Sequence, residues 1–328
     1  MNQEKMKTGP RRTFDWGRFA ADYSALIAFV VLFVLAVIFR GFTFLNPTNL
    51  LNILRNNSII GIISLGMTLI IIIGGIDLSV GSQLALSGLI CLQVTNTTGN
   101  MFFGMLAGIA ATIVFGILTG ALIAHFNIPA FIVTLGTLTI YRSVAQYFFK
   151  GGGVLVSEEM RAPFTAISNS DFLGIPMPII YWLILSVLVA IYVSRTATGR
   201  YIYAVGRNEK ATRLSGINTN RVKVIVFAIS ALLVSLAAIV EASRLGSMNS
   251  ASSGSSYEMD AIAAVVIGGT SMSGGRGTIV GTVFGTLTIG IINNMMNLLG
   301  VPPFLVGAVK GAIIIIAVLF QKRLDRER

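Results

Sequence analysis

Long apolar tracts separated by short polar breaks dominate the chain, and a helix needs about 20 mainly apolar residues to cross a bilayer. By that measure helices are predicted at Tyr23 to Phe39, Ser58 to Ile76, Val80 to Val94, Met101 to Ala124, Pro129 to Phe149, Ile175 to Val193, Val222 to Val240, Asp260 to Thr270, Thr278 to Leu298 and Pro303 to Phe320. Two of the ten, Val80 to Val94 and Asp260 to Thr270, are short enough to be half-helices or re-entrant segments. Leu78 to Tyr141 contains no Lys, Arg, Asp or Glu and must hold several spans. The expected fold is therefore an all-α polytopic membrane protein. A single transmembrane domain, residues 23–320, stands between an N-terminal arm, 1–22, and a tail, 321–328.

Composition supports the membrane reading: 54% of residues are hydrophobic and 11% charged, with a mean hydropathy of +0.82, far above that of soluble globular chains. The basic arm followed by an apolar run superficially looks like a secretory signal. The run is longer than a signal core, and "RGFTFLNPTN" after it lacks a small-residue cleavage pattern, so it is read as a retained first span. The single cysteine, Cys91, cannot form an internal disulfide and is assigned to packing.

Charge placement sets the orientation. Five Lys/Arg precede Tyr23, seven lie between Arg195 and Lys223 against one acid, Glu209, and four run from Lys322 to the end, together 16 of the 24 basic residues. The positive-inside rule places all three clusters, and with them both termini, in the cytoplasm. The loops Lys150 to Gly174 and Glu241 to Asp260 are net acidic and belong outside. The parity closes: five spans precede the first acidic loop, one returns to the basic loop, and four bring the C-terminus back inside. The net charge of +11 thus speaks for topology, and no nucleic-acid partner is expected. Internal likeness is weaker: "GGIDLSVG" from Gly74 resembles "GGTSMSGG" from Gly268, and "PAFIV" from Pro129 resembles "PPFLV" from Pro303, but one symmetry does not relate both pairs.

Ser194 to Lys223 is the longest polar cytoplasmic stretch between spans. At its centre, "NEKATRLSGI" has the marks of a short helix: Asn208 as N-cap, Glu209 at the positive end of the dipole, Arg213 at the other and Gly216 as the stop. Charge alone leaves two readings open, a docking element and a solvated loop facing lipid headgroups.

Three stretches, "GRYIYAVGRNEKATRLSGIN", "GMTLIIIIGGIDLSVGS" and "YEMDAIAAVVIGGTSMSGGRGTIVGT", resemble the signatures of ribose-type permease subunits of bacterial monosaccharide ABC importers, and the likeness runs from about Phe44 to Phe320. It implies a permease without its own cofactor, driven by a separate ATPase subunit that carries ATP and Mg. The other implied partners are a periplasmic sugar-binding protein, a second permease copy, a monosaccharide and the lipid bilayer of the inner membrane. In that family the loop between the sixth and seventh spans resembles an "EAA...G" coupling motif. Glu209, Ala211 and Gly216 match it, with Arg213 in the same helix, and Lys210 replaces the middle alanine. Consistently, the chain contains no G-x-x-x-x-G-K-[ST]; "GGTSMSGGRGT" has Arg276 and Gly277 where that motif needs Lys and Ser/Thr, and is read as a flexible turn.

Polar residues at membrane depth supply the candidates for the pathway or its gate: Asp77, Ser79, Asn293, Asn294, Asn297 and Lys310. Asp77 or Ser79 could cap the third span, so a structural role stands beside gating. Asn293 and Asn297 share a helix face and their amides suit sugar hydroxyls, but interhelical glue is equally open, as it is for Asn56, Asn57 and Ser58. Lys310 has Glu258 and Asp260 as candidate partners, with snorkelling the alternative. His125 is read as a boundary residue. An ion-gradient carrier or facilitator is the competing function class; an intramembrane enzyme finds no catalytic constellation.

Overall fold

The computed structural model describes residues 24–326; the predicted cytoplasmic arm, 1–22, lies outside the described residues. Thirteen helices follow one another among them: α1 Ser24–Leu45, α2 Pro47–Ile72, α3 Val80–Thr98, α4 Met101–Phe126, α5 Ala130–Phe148, α6 Glu158–Asn169, α7 Met177–Arg195, α8 Ala197–Arg207, α9 Glu209–Leu214, α10 Thr219–Leu245, α11 Tyr257–Ile267, α12 Ile279–Leu298 and α13 Pro303–Arg326. Four short strands pair in twos, β1 Gly153–Leu155 with β4 Ser247–Asn249, and β2 Asp171–Phe172 with β3 Ile175–Pro176, both antiparallel. Six helices, α1, α2, α4, α7, α10 and α12, are long and apolar enough to cross a membrane. α3 and α5 have 19 residues each but more polar sequences. At 11 residues α11 is about 16 Å long, half the thickness of a hydrocarbon core.

A helix stands at each of the ten predicted segments, with one large boundary error. α2 begins at Pro47, eleven positions before the predicted Ser58. "PTNLLNILRNN" is too polar for a hydropathy run, yet the Asn46 side chain accepts from Thr48 N–H at 2.9 Å and Pro47 is preset for a first turn. The acidic loop 150–174 holds β1 and α6, and Phe164 and Ser168 of α6 are buried.

The core is built around α2, in which every residue from Asn57 to Ile72 is buried. Its glycines admit neighbours directly: a Cβ at Gly61 would overlap the Trp182 indole of α7, and one at Gly66 would meet Ser230 of α10. Buried hydroxyls along α2 are satisfied by the carbonyl one turn back, Ser64 to Ile60 and Thr68 to Ser64, each at 2.7 Å. Thr68 also meets Thr282 of α12 at 2.6 Å.

α4 shows the converse pattern, apolar side chains outward and small ones inward. Its buried face includes Gly104, Gly108, Thr112, Gly116 and Gly120, four apart, so one stripe presses against α3 and then α10. Gly116→Leu would push its side chain into Ala231 and the Phe227 carbonyl. We expect this variant to lose about 1–3 kcal/mol, read as a lower melting temperature in detergent, while Gly136→Leu, where the space is open, leaves melting unchanged.

Two chain reversals are irregular. After α2 the chain turns at Gly74 and climbs back through residues 75–79 before α3 starts; after β4 it runs inward through residues 250–256 before α11 starts. The two helix starts meet: Gly81 and Gly254 are so close that a Cβ on either would overlap the other's carbonyl. The glycine turn that follows α11 lies against the end of α2, with Gly275 N–H donating to the Ile72 carbonyl at 2.8 Å. The two similar "GG" segments therefore sit side by side at one end of the bundle, the end that also carries α8 and α9.

Candidate functional site

At this basic end α8 is an amphipathic helix that buries Gly199, Ile202 and Val205. The Thr196 hydroxyl caps it by accepting from Gly199 N–H at 3.0 Å. Its last turn is clamped to the bundle. Tyr203 donates to the Gly277 carbonyl at 2.8 Å, and Gly206 lies directly on the Ile72 carbonyl and Gly275.

α9 projects beyond it. Asn208 caps it as predicted, its side-chain oxygen accepting from Ala211 N–H at 3.0 Å, and Gly216 ends the segment with φ of 83°. Glu209 points back toward the bundle, 2.7 Å from Lys223 at the foot of α10 and 3.2 Å from Arg213, which also donates to Thr219 at 3.2 Å. The four predicted coupling residues are thus brought together in divided roles. Glu209 anchors the helix, Gly216 terminates it, and Ala211 and Arg213 stand on the exposed face. Beside them Leu214, which sequence reasoning passed over, is 89% exposed. An isolated leucine before Ser-Gly carries no periodic signal.

Partial burial alone would raise the Glu209 pKa, but the Lys223 contact, helped by Thr219 and Arg213, outweighs it and holds the carboxyl below its usual range. A lowered carboxylate pKa gives stability that is present above the ordinary Glu value of about 4.3 and lost as pH falls through the lowered value. Protection factors of the α9 amides are accordingly expected to fall with pH below that range in the native chain and to stay flat, at a lower level, in Glu209→Gln. Hydrogen exchange in detergent measures both.

The polar residues of the membrane segments fall into separate groups. Asp77, which the predicted spans put just past the cytoplasmic end of the second, is 2% exposed. Its carboxylate accepts from the Ser79 N–H at 2.8 Å and the Ser79 hydroxyl at 2.6 Å, fixing the turn into α3, and Gln83 donates to the Ser79 hydroxyl at 2.7 Å. Ser79 occupies the N-cap position without a side-chain capping bond of its own. Asn294 pairs with Asn49 of α2 at 2.8 Å, Asn293 is half-buried, and Asn297 is exposed. Asn57 donates to the Ile53 carbonyl at 2.9 Å and packs on Gly290, Ser58 donates to the Leu54 carbonyl at 2.7 Å, and Asn56 accepts from Arg244 at 3.0 Å. His125 sits exposed at the end of α4. Cys91 is buried against α4.

Four charges converge on the start of α11. Lys310 of α13 is 2.8 Å from Asp260, one of its two predicted partners. Arg142 of α5 donates to the Ser250 and Ser253 carbonyls at 3.0 and 2.9 Å, and Glu258 lies over Gly81. Sequence reasoning missed Arg142 because it stands alone in a span far from α11 along the chain. Among the described residues no group of three or more His, Cys, Asp or Glu is placed to hold a metal.

Two of the cavities among the described residues contrast in their lining. One of about 380 Å³, between α4, α6, α7 and α10, is apolar apart from Tyr181, whose hydroxyl already donates to the Ile167 carbonyl at 2.9 Å, and suits a polyol poorly. The other, about 320 Å³, lies at the basic end between the Gly74 turn, the α4–α5 turn, Glu209 and Lys223.

Comparison with known proteins gives a consistent outcome. The family model described as branched-chain amino acid transport system / permease component matches residues 49–318. The ribose import permease protein RbsC of Haemophilus influenzae is 40% identical over 96% of this chain and 97% of its own length. RbsC of Bacillus subtilis is 40% identical over 98% and 99%, and the L-arabinose transport system permease protein AraH of Escherichia coli K12 is 35% identical over 95% and 94%. No solved structure matches.

Proposed function

Because the chain belongs to the family of branched-chain amino acid transport system permease components, we propose that it is the membrane-spanning permease subunit of an ATP-binding cassette importer, translocating a monosaccharide across the bacterial inner membrane. The near full-length identity of about 40% with ribose import permeases carries this reading. The basic-end geometry supports it mechanically. α9 is a capped projection, tied to α10 through Glu209 and Lys223, and offers Ala211, Arg213 and Leu214 to a partner. ATP and Mg belong to that partner, an ATPase whose closure would push α9 and, through Lys223, the whole length of α10.

The topology within this proposal has ten passes with both termini cytoplasmic. Two passes are composite: residues 73–79 complete α3, and residues 246–256 complete the half-length α11. The acidic end would receive a periplasmic sugar-binding protein, and a second copy of the chain would share the pathway. Ionisable groups at the start of α11 favour the competing ion-gradient carrier, and energetics separates the two.

Uptake of labelled monosaccharides into cells expressing this chain with its ATPase and binding protein tests the reading, comparing a protonophore with ATP depletion. Uptake should survive the protonophore and need ATP and both partners. Leu214→Asp removes a docking contact worth about 1.5–3 kcal/mol if fully buried by the partner, yet disturbs nothing in this chain, so transport should fail at normal membrane levels. Gly216→Arg, in open space but at positive φ, should also fail. Uptake by this chain alone that collapses with the proton gradient would establish a carrier instead.

A further inference from the structure

The segment "SASSGSS", Ser250 to Ser256, is irregular, polar and in part exposed. Its depth follows from its neighbours. Gly254 touches Gly81 in the first turn of α3, and fifteen residues further along, about 22 Å by helix rise, Asn96 bonds the Leu155 carbonyl and Ser157 N–H of the acidic end. In the other direction α11 runs about 16 Å from Tyr257 to the glycine turn packed on Ile72 at the basic end. The segment therefore lies near mid-depth. Irregular backbone at that depth is tolerated only where protein buries it or water fills the space beside it. Ser252, Ser255 and Ser256 are exposed and Glu258 is partly exposed, so this chain does not bury the face, and in a pathway shared with a second copy it borders water.

The groups there match a neutral polyol. Serine hydroxyls donate and accept and Glu258 accepts, while Tyr257 N–H is already engaged by the Gly254 carbonyl at 3.4 Å, so the side chains of this turn are the groups on offer. The nearby cations are engaged, Arg142 by two carbonyls and Lys310 by Asp260, which leaves little to hold an anion. Two buried carboxylates closing on the same turn each keep one unpartnered oxygen, Asp260 Oδ1 and Glu241 Oε2; Glu241 also bonds the Tyr257 side chain. Unpaired buried oxygens cost free energy unless a donor arrives. We infer that the exposed start of α11, Ser252, Ser255, Ser256 and Glu258, is the mid-depth station of the aqueous pathway where the permease itself contacts the monosaccharide. This rests on the importer reading above and displaces the α12 asparagines as the principal sugar contacts.

The test introduces Ser255→Cys, and separately Ser252→Cys, into a Cys91→Ala chain assembled with its ATPase and binding protein. A charged, membrane-impermeant methanethiosulfonate should label both cysteines, and should spare Val187→Cys on the apolar outer face of α7. D-ribose, L-arabinose, D-xylose and D-allose are then added in turn. The transported one, at roughly ten times its dissociation constant, should slow labelling about tenfold by mass action, whereas sorbitol at equal osmolarity should not. Absence of labelling at both positions, or labelling that none of the four sugars slows, overturns the inference. If that happens while uptake of one sugar remains ATP-dependent, the importer reading stands and only this station is wrong. Loss of ATP-dependent uptake for all of them counts against the importer reading itself.

Discussion

Lys310→Met is expected to be the most destabilising single substitution among the charges of the membrane segments, costing about 3–5 kcal/mol, because it strands the Asp260 carboxylate in the protein interior. The pair is 2.8 Å apart, with the Lys310 side chain 16% and the Asp260 side chain 7% exposed. The carboxylate already has one oxygen without a partner, and its residue sits in the first turn of a half-length helix with nowhere to move. The reverse deletion should be milder. In Asp260→Asn the freed lysine has a long, flexible stem that can carry its ammonium toward water. The double variant should recover part of the loss, since removing both charges avoids an unpaired ion. Thermal unfolding in detergent across the four proteins measures the coupling. Equal melting temperatures for Lys310→Met and the native chain would mean that the pair is solvated and that α11 is not anchored by it.

The sequence announces this arrangement unevenly. Helix positions were legible because the bilayer imposes a length on apolar runs, and that length reads directly from the residues. The start of α2 escaped because its first three turns are polar and are specified by Asn46 and Pro47, signals that a hydropathy run ignores. α8 escaped for a related reason. Its buried positions Gly199, Ile202 and Val205 recur every third residue, but Arg200, Tyr201 and Tyr203 between them and Arg207 after them make the segment look like a charged loop. The α9 caps were readable because a side chain three residues from an amide is a local matter. Contacts between distant elements were not, and the site depends on those. Nothing local marks Arg142 as the residue that holds Ser250 and Ser253, or Gly81 as the surface on which Gly254 rests. Of the residues proposed for the pathway from composition alone, Asp77 and Ser79 turn inward to organise a helix start, and Asn294 binds Asn49. A polar residue in an apolar run announces that it needs a partner, without saying whether that partner is another helix or the cargo.

Gly206→Val should separate transport from assembly. The glycine closes α8 against the Ile72 carbonyl and Gly275, and any Cβ there overlaps backbone atoms that have no rotamer to give way. Overpacking of this kind costs about 1–3 kcal/mol, and the cheapest relief is to lift the end of α8 away from the bundle. The Gly275 N–H to Ile72 carbonyl bond and the Tyr203 contact to Gly277 then lose their alignment. The membrane helices are built on other contacts, so the protein should still insert and melt only slightly earlier. α9 follows α8 immediately, through Asn208, and displacing one re-aims the other. In the importer reading, a docking helix misplaced by even one side-chain width loses its grip on the ATPase. ATP-dependent uptake should therefore fall about tenfold or more, as expected for a loss of about 1.4 kcal/mol at that joint. Gly206→Ala should fall between, and Gly307→Ala, in open space on α13, should transport normally. Full uptake with Gly206→Val would show that α8 is not the rigid base from which α9 is presented, and would place the mechanical connection on Glu209 and Lys223 alone.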